Sequence, residues 1–476
     1  MQVQRSAFLQ EAKPLLQELI GRLKEKYGYA SVLAADTRSK EYHVGNTGVR
    51  AGEDDLFTRR GFVLKVYDGR SYGEYSFTHI DKDAIPAIAA EVEDRLMPLA
   101  GKLPAGLTLS EYGQIPDEPA VLRKSTEYQI HPDEKGDEAI LAALNAIRGE
   151  AKGRDERIID CSVSFEFQEI HKLFLSPNRD LEQNLLWSDG SIYVMCPKED
   201  DIVGYYDGAS GLAGAEVLDA LNGKLSNAVQ SALDLMDSES MVPGEYECVC
   251  TPAVTGMIVH EAFGHGVEMD MFVKDRAQAK KFIGQYVASP LVTMHDGAAV
   301  QRDTGSYFFD DEGVLSHDTL IIEKGILKRG ISDAQSAMHL GTEPTGNGRR
   351  ESFERKAYTR MTNTYFEPGN DTFEDMIASV KDGFLLDNPS SGMEDPKNWG
   401  IQCMVNVARE IKDGKLTGRI FSPIVLTGYV PDLLKSITMV SKDFDLEGGG
   451  MCGKGWKEWV KVSDGGPCIK ARIRLG

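Results

Sequence analysis

The chain reads as alternating helical and strand-like segments. Between residues 7 and 27, Phe8, Leu15, Leu16, Leu19, Ile20 and Leu23 recur at helical spacing, and Gly28 follows as a stop. A short apolar run, Val32-Leu33-Ala34, comes next. From Gly61 to Phe77 the pattern alternates on both sides of Asp68-Gly69, which predicts a β-hairpin. Residues 82–98 return to helical spacing. Pro98, Pro104, Pro116 and Pro119 then mark residues 99–120 as a linker.

A second group of elements follows. A helix is predicted near 136–149, then strands over Ile158 to Leu175 and Asn184 to Met195, with Ser188-Asp189-Gly190 as a turn in the latter. Gly204 to Gly214 reads as a glycine-rich loop, and residues 215–236 read as a helix. From about residue 240 strand patterns dominate. Glu245 to Thr251 alternates, 252–265 reads as a helix, and Glu312-Gly313, Lys324-Gly325 and Asp413-Gly414 signal hairpins. The order is not a regular βαβ alternation, so the expected class is α+β, with N-terminal helix and sheet units before a large β-rich one. The expected division is 1–100, 120–236 and 240–476. No repeat of 20–50 residues, as in repeat proteins, is present.

Composition narrows the function. The chain has 476 residues, 41% hydrophobic and 27% charged, enough to bury a core without metal or disulfide staples. A metal bound to it is therefore expected to do chemistry. The formal net charge of −21 argues against a nucleic-acid partner, which needs a basic face. The seven cysteines show no disulfide spacing. No apolar run reaches the ~18 residues of a membrane span, and no secretory signal is visible in the first residues. A cytoplasmic location and no membrane partner are expected.

The chemistry centres on His260-Glu261-Ala262-Phe263-Gly264-His265. Histidine ligates zinc, and a neighbouring glutamate can serve as general base. In a regular helix, positions five apart are rotated by roughly 140°, so the imidazoles would diverge. A π-type i→i+5 turn, or a break at Gly264, would bring them together. A third protein ligand is needed. The best candidate is Cys452, inside Gly448-Gly449-Gly450-Met451-Cys452-Gly453-Lys454-Gly455, expected to arrive from a loop because its neighbours are mostly glycine. This segment also resembles a phosphate-binding loop, but Gly455 stands where a hydroxyl residue should hold magnesium, and Asp443, Asp445 and Glu447 precede it. Cys248 and Cys250, on one strand face, read as buried thiols. His295, His317 and His339 read as structural. Arg349 and Arg350 are candidates for oxyanion or peptide-carboxylate contacts, or for structural roles.

Together these residues resemble the TldD/PmbA family of peptidases, TldD-like branch. The matching blocks are 260–266, Asp311-Glu312-Gly313, Pro344 to Ser352, Arg360 to Tyr365 with Pro368-Gly369, and Gly450 to Lys454. The segment Lys356-Ala357-Tyr358-Thr359 departs from the family, which often has prolines there. The resemblance implies one zinc per chain on His260, His265 and Cys452, with Glu261 as the catalytic glutamate. It implies a zinc peptidase acting on unfolded or extended peptides. It also implies a TldE/PmbA-like paralogous subunit or a homodimer as partner. The rival expectation is a non-catalytic peptide-binding or scaffolding subunit. A sheet edge in the strand-rich late region could take the peptide as an added strand.

Overall fold

The computed structural model describes residues 1–54, 57–96, 111–299, 303–455 and 457–476. Most of the expected linker falls at 97–110, outside the described residues. The fold is α+β, as the pattern predicts.

Helix α1 (Ala7–Lys24) starts where Ser6 Oγ accepts the Leu9 N–H, and buries Leu9, Leu16, Leu19, Ile20 and Leu23. Strands β1 (Tyr29–Gly45), β2 (Gly48–Glu53), β3 (Arg59–Tyr67) and β4 (Tyr72–Phe77) follow, the last two joined across Asp68-Gly69. Helix α2 (Ala84–Leu96) and strand β5 (Ala120–Ser125) flank the undescribed segment. Helix α3 (Asp137–Arg154), strands β6 (Asp160–Leu175), β7 (Arg179–Lys198) and β8 (Asp201–Gly211), and helix α4 (Val217–Leu235) complete this half.

The eight strands form one sheet in the order β4-β3-β1-β6-β7-β5, with β2 beside β1 and β8 beside β7. Strands from residues 29–77 and 120–211 thus pair within the same sheet. Two expectations are corrected. Ser188-Asp189-Gly190 is no turn but the middle of β7, and Gly204 to Gly211 is strand β8 rather than loop. The glycines there make room for neighbours instead of for turns. A Cβ on Gly204 would lie 2.5 Å from the Tyr193 hydroxyl, and one on Gly190 would lie 2.9 Å from Leu221.

Alternation along the long strands gives the sheet two buried faces. On one, Val32 and Ala34 of β1 and Leu173 of β6 pack under α1 and α2, while Tyr42, Phe165 and Phe167 pack under α3 and α4. On the other, Leu33, Val63, Phe174 and Leu181 meet Phe309 and Phe353 from the second half of the chain. Buried ion pairs cross this contact, with Lys65 Nζ 2.5 Å from Glu312 and Arg350 Nη2 2.6 Å from Glu74.

In the second half, β9 (Gly244–Cys250) leads directly into helix α5 (Pro252–Ile258). Strand β9 belongs to a ring of five strands. Asp382–Asp395, β9, Ile469–Leu475, Ile424–Tyr429 and Gly400–Lys412 pair in turn, and the last pairs back with the first. The main core, including Phe263, Trp399, Cys403 and Val405, packs with this ring. Cys248 and Cys250 are fully buried, and burial pushes the Cys248 thiol well above its ordinary range. A second sheet places Ser463–Gly466 between Asn363–Phe366 and Asp445–Glu447. Among the described residues no helix is long and apolar enough to cross a membrane.

Candidate metal centre

Helix α5 begins at Pro252, whose missing N–H costs nothing in a first turn. It continues without a break into a π-turn over Val259–Gly264, and His265 N–H donates to the His260 carbonyl. This is the i→i+5 turn that the histidine spacing requires. The imidazole centroids lie 5.1 Å apart with the rings almost perpendicular. Gly264 permits close approach, since a Cβ there would sit 2.2 Å from Met361 Sδ.

Cys452 comes from a short strand, Met451–Lys454, paired with Lys457–Lys461, not from a loop. Glycine density hid the strand: Gly453 falls at a register shift, and Gly455 takes a positive φ at the turn. Cys452 Sγ lies 3.3 Å from His260 Nε2 and 3.4 Å from His265 Nε2. Tetrahedral zinc with nitrogen and sulfur ligands separates such donors by roughly 3.5 Å. The three donor atoms lie within 4.8 Å of one another, a set that could hold a metal ion. Two imidazoles and a thiol are donors suited to zinc.

Burial alone would lower the His260 pKa, yet the Cys452 thiolate beside it outweighs this and raises it to about 9. Burial likewise works against the Cys452 thiolate, but the two imidazoles hold the thiol well below its ordinary range. The thiolate is the form that ligates metals, and a bound metal would displace the proton that the imidazoles hold in this pair.

Behind the donors lies a charged layer that sequence reading did not assign. His265 Nδ1 lies 3.4 Å from Glu268 Oε2, a fully buried carboxylate that Lys454 Nζ approaches at 3.0 Å. Arg360 Nη2 donates to the Cys452 carbonyl at 2.7 Å, and Arg360 Nη1 donates to the Glu458 carbonyl. Arg360 and Lys454 belong to the matching blocks named above. Glu268 carried only its spacing of three from His265 as a signal.

Glu261 lines an open cleft of about 1250 Å³ together with His260, His265 and Cys452. Strand Asp382–Asp395 forms one wall. A Cβ on Gly392 would lie 2.3 Å from Glu261 Cγ, so only glycine leaves the side chain its place. Glu394, two residues on, faces Gly266, and its carboxylate oxygens have no hydrogen-bond partner among the described residues. Burial pushes that carboxyl well above the ordinary range. Arg349 and Arg350 do not line this cleft. Arg350 is paired with Glu74, and Arg349 donates to the Met361 carbonyl. His295 is held between Asp318 and Glu367, each at 2.9 Å.

Residues 243–472 match the sequence profile of the PmbA/TldA metallopeptidase C-terminal domain. A metalloprotease of Methanocaldococcus jannaschii is 30% identical over 367 residues, 76% of this chain and 78% of that protein. The chain belongs to the PmbA/TldD family. A zinc metalloprotease TldD homolog of Saccharolobus solfataricus is 28% identical over 72% of this chain and 77% of its own length. Among solved structures, TldE from Thermococcus kodakarensis superposes with a TM-score of 0.74 over 97% of this chain and 100% of its own, at 18% identity. That likeness shows the shared fold.

Proposed function

We propose that this member of the PmbA/TldD family is a zinc peptidase that hydrolyses unfolded or extended peptides. The observation that carries the reading is the convergence of His260, His265 and Cys452 at zinc-like spacing, beside Glu261 on the same π-turn. A zinc ion held there supplies the Lewis acidity that polarises a peptide carbonyl and acidifies water. Glu261 is the general base: its carboxylate takes a proton from the attacking water and later delivers it to the leaving amine. Glu268 fixes the His265 ring through Nδ1, and Arg360 fixes the strand that carries Cys452. Residues 240–476 carry the chemistry, and the unit over 120–236 helps to wall the cleft.

The peptide lies extended in the cleft. Strand β8 is at the edge of the N-terminal sheet, and its residues Tyr206, Gly208, Ala209 and Ser210 line the cleft. Strand Asp382–Asp395 of the late region also keeps an edge along the cleft, since it pairs with β9 only over Gly383–Leu386, so either strand can take the peptide as an added strand. The protein acts with a TldE-like subunit or a second copy of itself, a reading supported by the fold shared with TldE.

The test is metal content and hydrolysis measured on the same preparation. The expected result is about one zinc per chain, with cleavage of a denatured protein substrate that stops on chelation. Bound zinc with no hydrolysis, alone or with the paralogous subunit, would favour the scaffolding alternative.

A further inference from the structure

The cleft has a length axis that can be followed along its wall. Asn388 Nδ2 donates to the Tyr206 carbonyl at 2.6 Å. Gly392 abuts Glu261 and Glu394 abuts Gly266. The Pro396 carbonyl accepts the Gln278 N–H at 2.8 Å. From Asn388 to Pro396 this path spans roughly 25 Å at strand rise, the length of an extended peptide of about eight residues. The metal donors lie near its middle.

The two ends differ in charge. At the Tyr206 end, Gly448 N donates to Ser210 Oγ at 2.8 Å, which brings Asp445 and Glu447 into the cleft lining. Neither carboxylate makes an ion pair among the described residues. The cation facing them is Lys224, 3.5 Å from Asp207. Desolvation in the cleft pushes the Glu447 carboxyl up to about 7, with Lys224 opposing and Asp445 and Asp464 adding. At the Pro396 end stand Lys274 and Arg276. Lys274 and Lys454 share Asp270 at 2.9 and 2.8 Å. Asp275 lies 3.9 Å from Lys280. The Arg276 guanidinium is exposed and has no side-chain partner among the described residues. Glu394 lies between the ends and burial favours its neutral form.

We propose that the cleft is polarised to fix the direction of a bound peptide, with Arg276 taking a carboxylate and Glu447 with Asp445 taking an ammonium. This rests on the peptidase reading and adds substrate direction to it. An unblocked peptide then lies with its N-terminus toward β8 and its C-terminus toward Arg276. The cleft is open, so each contact is a partly screened ion pair strengthened by hydrogen bonds.

The test is equilibrium binding of fluorescent octapeptides to the zinc-loaded Glu261→Gln protein, which removes turnover from the readout. The peptides have free ends, an acetylated N-terminus, an amidated C-terminus, or both blocks. Each block is expected to weaken binding about three- to tenfold. The amidation effect should vanish in the added Arg276→Ala variant, and the acetylation effect should vanish in the added Glu447→Gln variant. Arg276 is exposed and Glu447→Gln keeps the side chain's size, so the fold is retained. Doubly blocked peptides with Lys at one end and Glu at the other separate side-chain charge from the termini. Recovery of affinity when Lys is N-terminal, and not when Glu is, supports the same polarity. Equal affinity for all peptides, or block effects that survive in both variants, overturns the proposal. Charge-dependent binding with no cleavage by the unsubstituted protein would leave the polarity standing and overturn the peptidase reading.

Discussion

Arg360 holds Cys452 from behind, its Nη2 2.7 Å from the Cys452 carbonyl oxygen while Nε lies 3.6 Å from Glu268 Oε1. One buried guanidinium thus touches the strand that carries the thiolate and the carboxylate that orients His265. A lysine has no planar fork and cannot serve both. Arg360→Lys should therefore weaken zinc binding about 10–100-fold, the usual effect of losing such support. Competition with a chromophoric chelator measures this. Unchanged affinity would show that the hairpin holds Cys452 unaided.

Glu261 is expected to act on protons and not on the metal. Glu261→Gln should retain zinc and lose turnover by about 10²–10⁴-fold. Loss of zinc on this substitution would move Glu261 into the ligand set and overturn its assigned role.

The closed five-strand ring is held by its own strand pairing and by an apolar core in which, of the three donors, only Cys452 takes part. Chelation is therefore expected to abolish activity with little change in the far-ultraviolet circular dichroism spectrum. Global unfolding on metal removal would mean that the metal is structural.

The contact between the two halves should make stability acid-sensitive. Burial alone would raise the Glu74 pKa, but Lys65 and Arg350 outweigh it and lower it from 4.5 to about 2. A depressed carboxylate pKa stabilises the folded state above the unfolded value and loses that stabilisation as pH falls through the folded one. The contribution is about 3 kcal/mol at neutral pH, lost between the two values. Denaturant titrations at neutral pH and at about pH 3 should show a smaller difference for Glu74→Gln than for the unsubstituted protein. An equal difference would place the acid sensitivity elsewhere.

The His260, His265 and Cys452 cluster was more legible in the sequence than the cleft around it. Two histidines five apart can share a ligand only through a π-turn or a break, so the spacing itself carried the local geometry. The Cys452 hairpin and strand β8 were hidden because glycine marks turns and close packing alike. Gly204 leaves room for Tyr193, and Gly453 sits at a register shift. Arg349 and Arg350 looked equally available in the sequence. Only the docking of the N-terminal sheet takes Arg350 to Glu74 and leaves Arg276, which no motif marked, exposed in the cleft.

Gly392 offers the sharpest test of that cleft wall. Its Cα faces Glu261, and an added Cβ would lie 2.3 Å from Glu261 Cγ and 2.9 Å from Cδ. Real carbon atoms do not approach so closely, so either the strand or the glutamate must move. The strand is paired along its length with Gly400–Lys412, which makes the side chain the softer partner. Gly392→Ala should therefore swing the Glu261 carboxylate away from the metal donors without touching any of them. The expected outcome is full zinc occupancy with kcat reduced at least about tenfold, since misplaced general bases lose rate steeply. The Michaelis constant should change less than kcat. If kcat is unchanged, Glu261 reaches the reacting water from a second rotamer, and the wall does not position the base. If zinc is lost instead, the displacement has spread along the π-turn to His260 or His265, and base and ligands form a single mechanical unit.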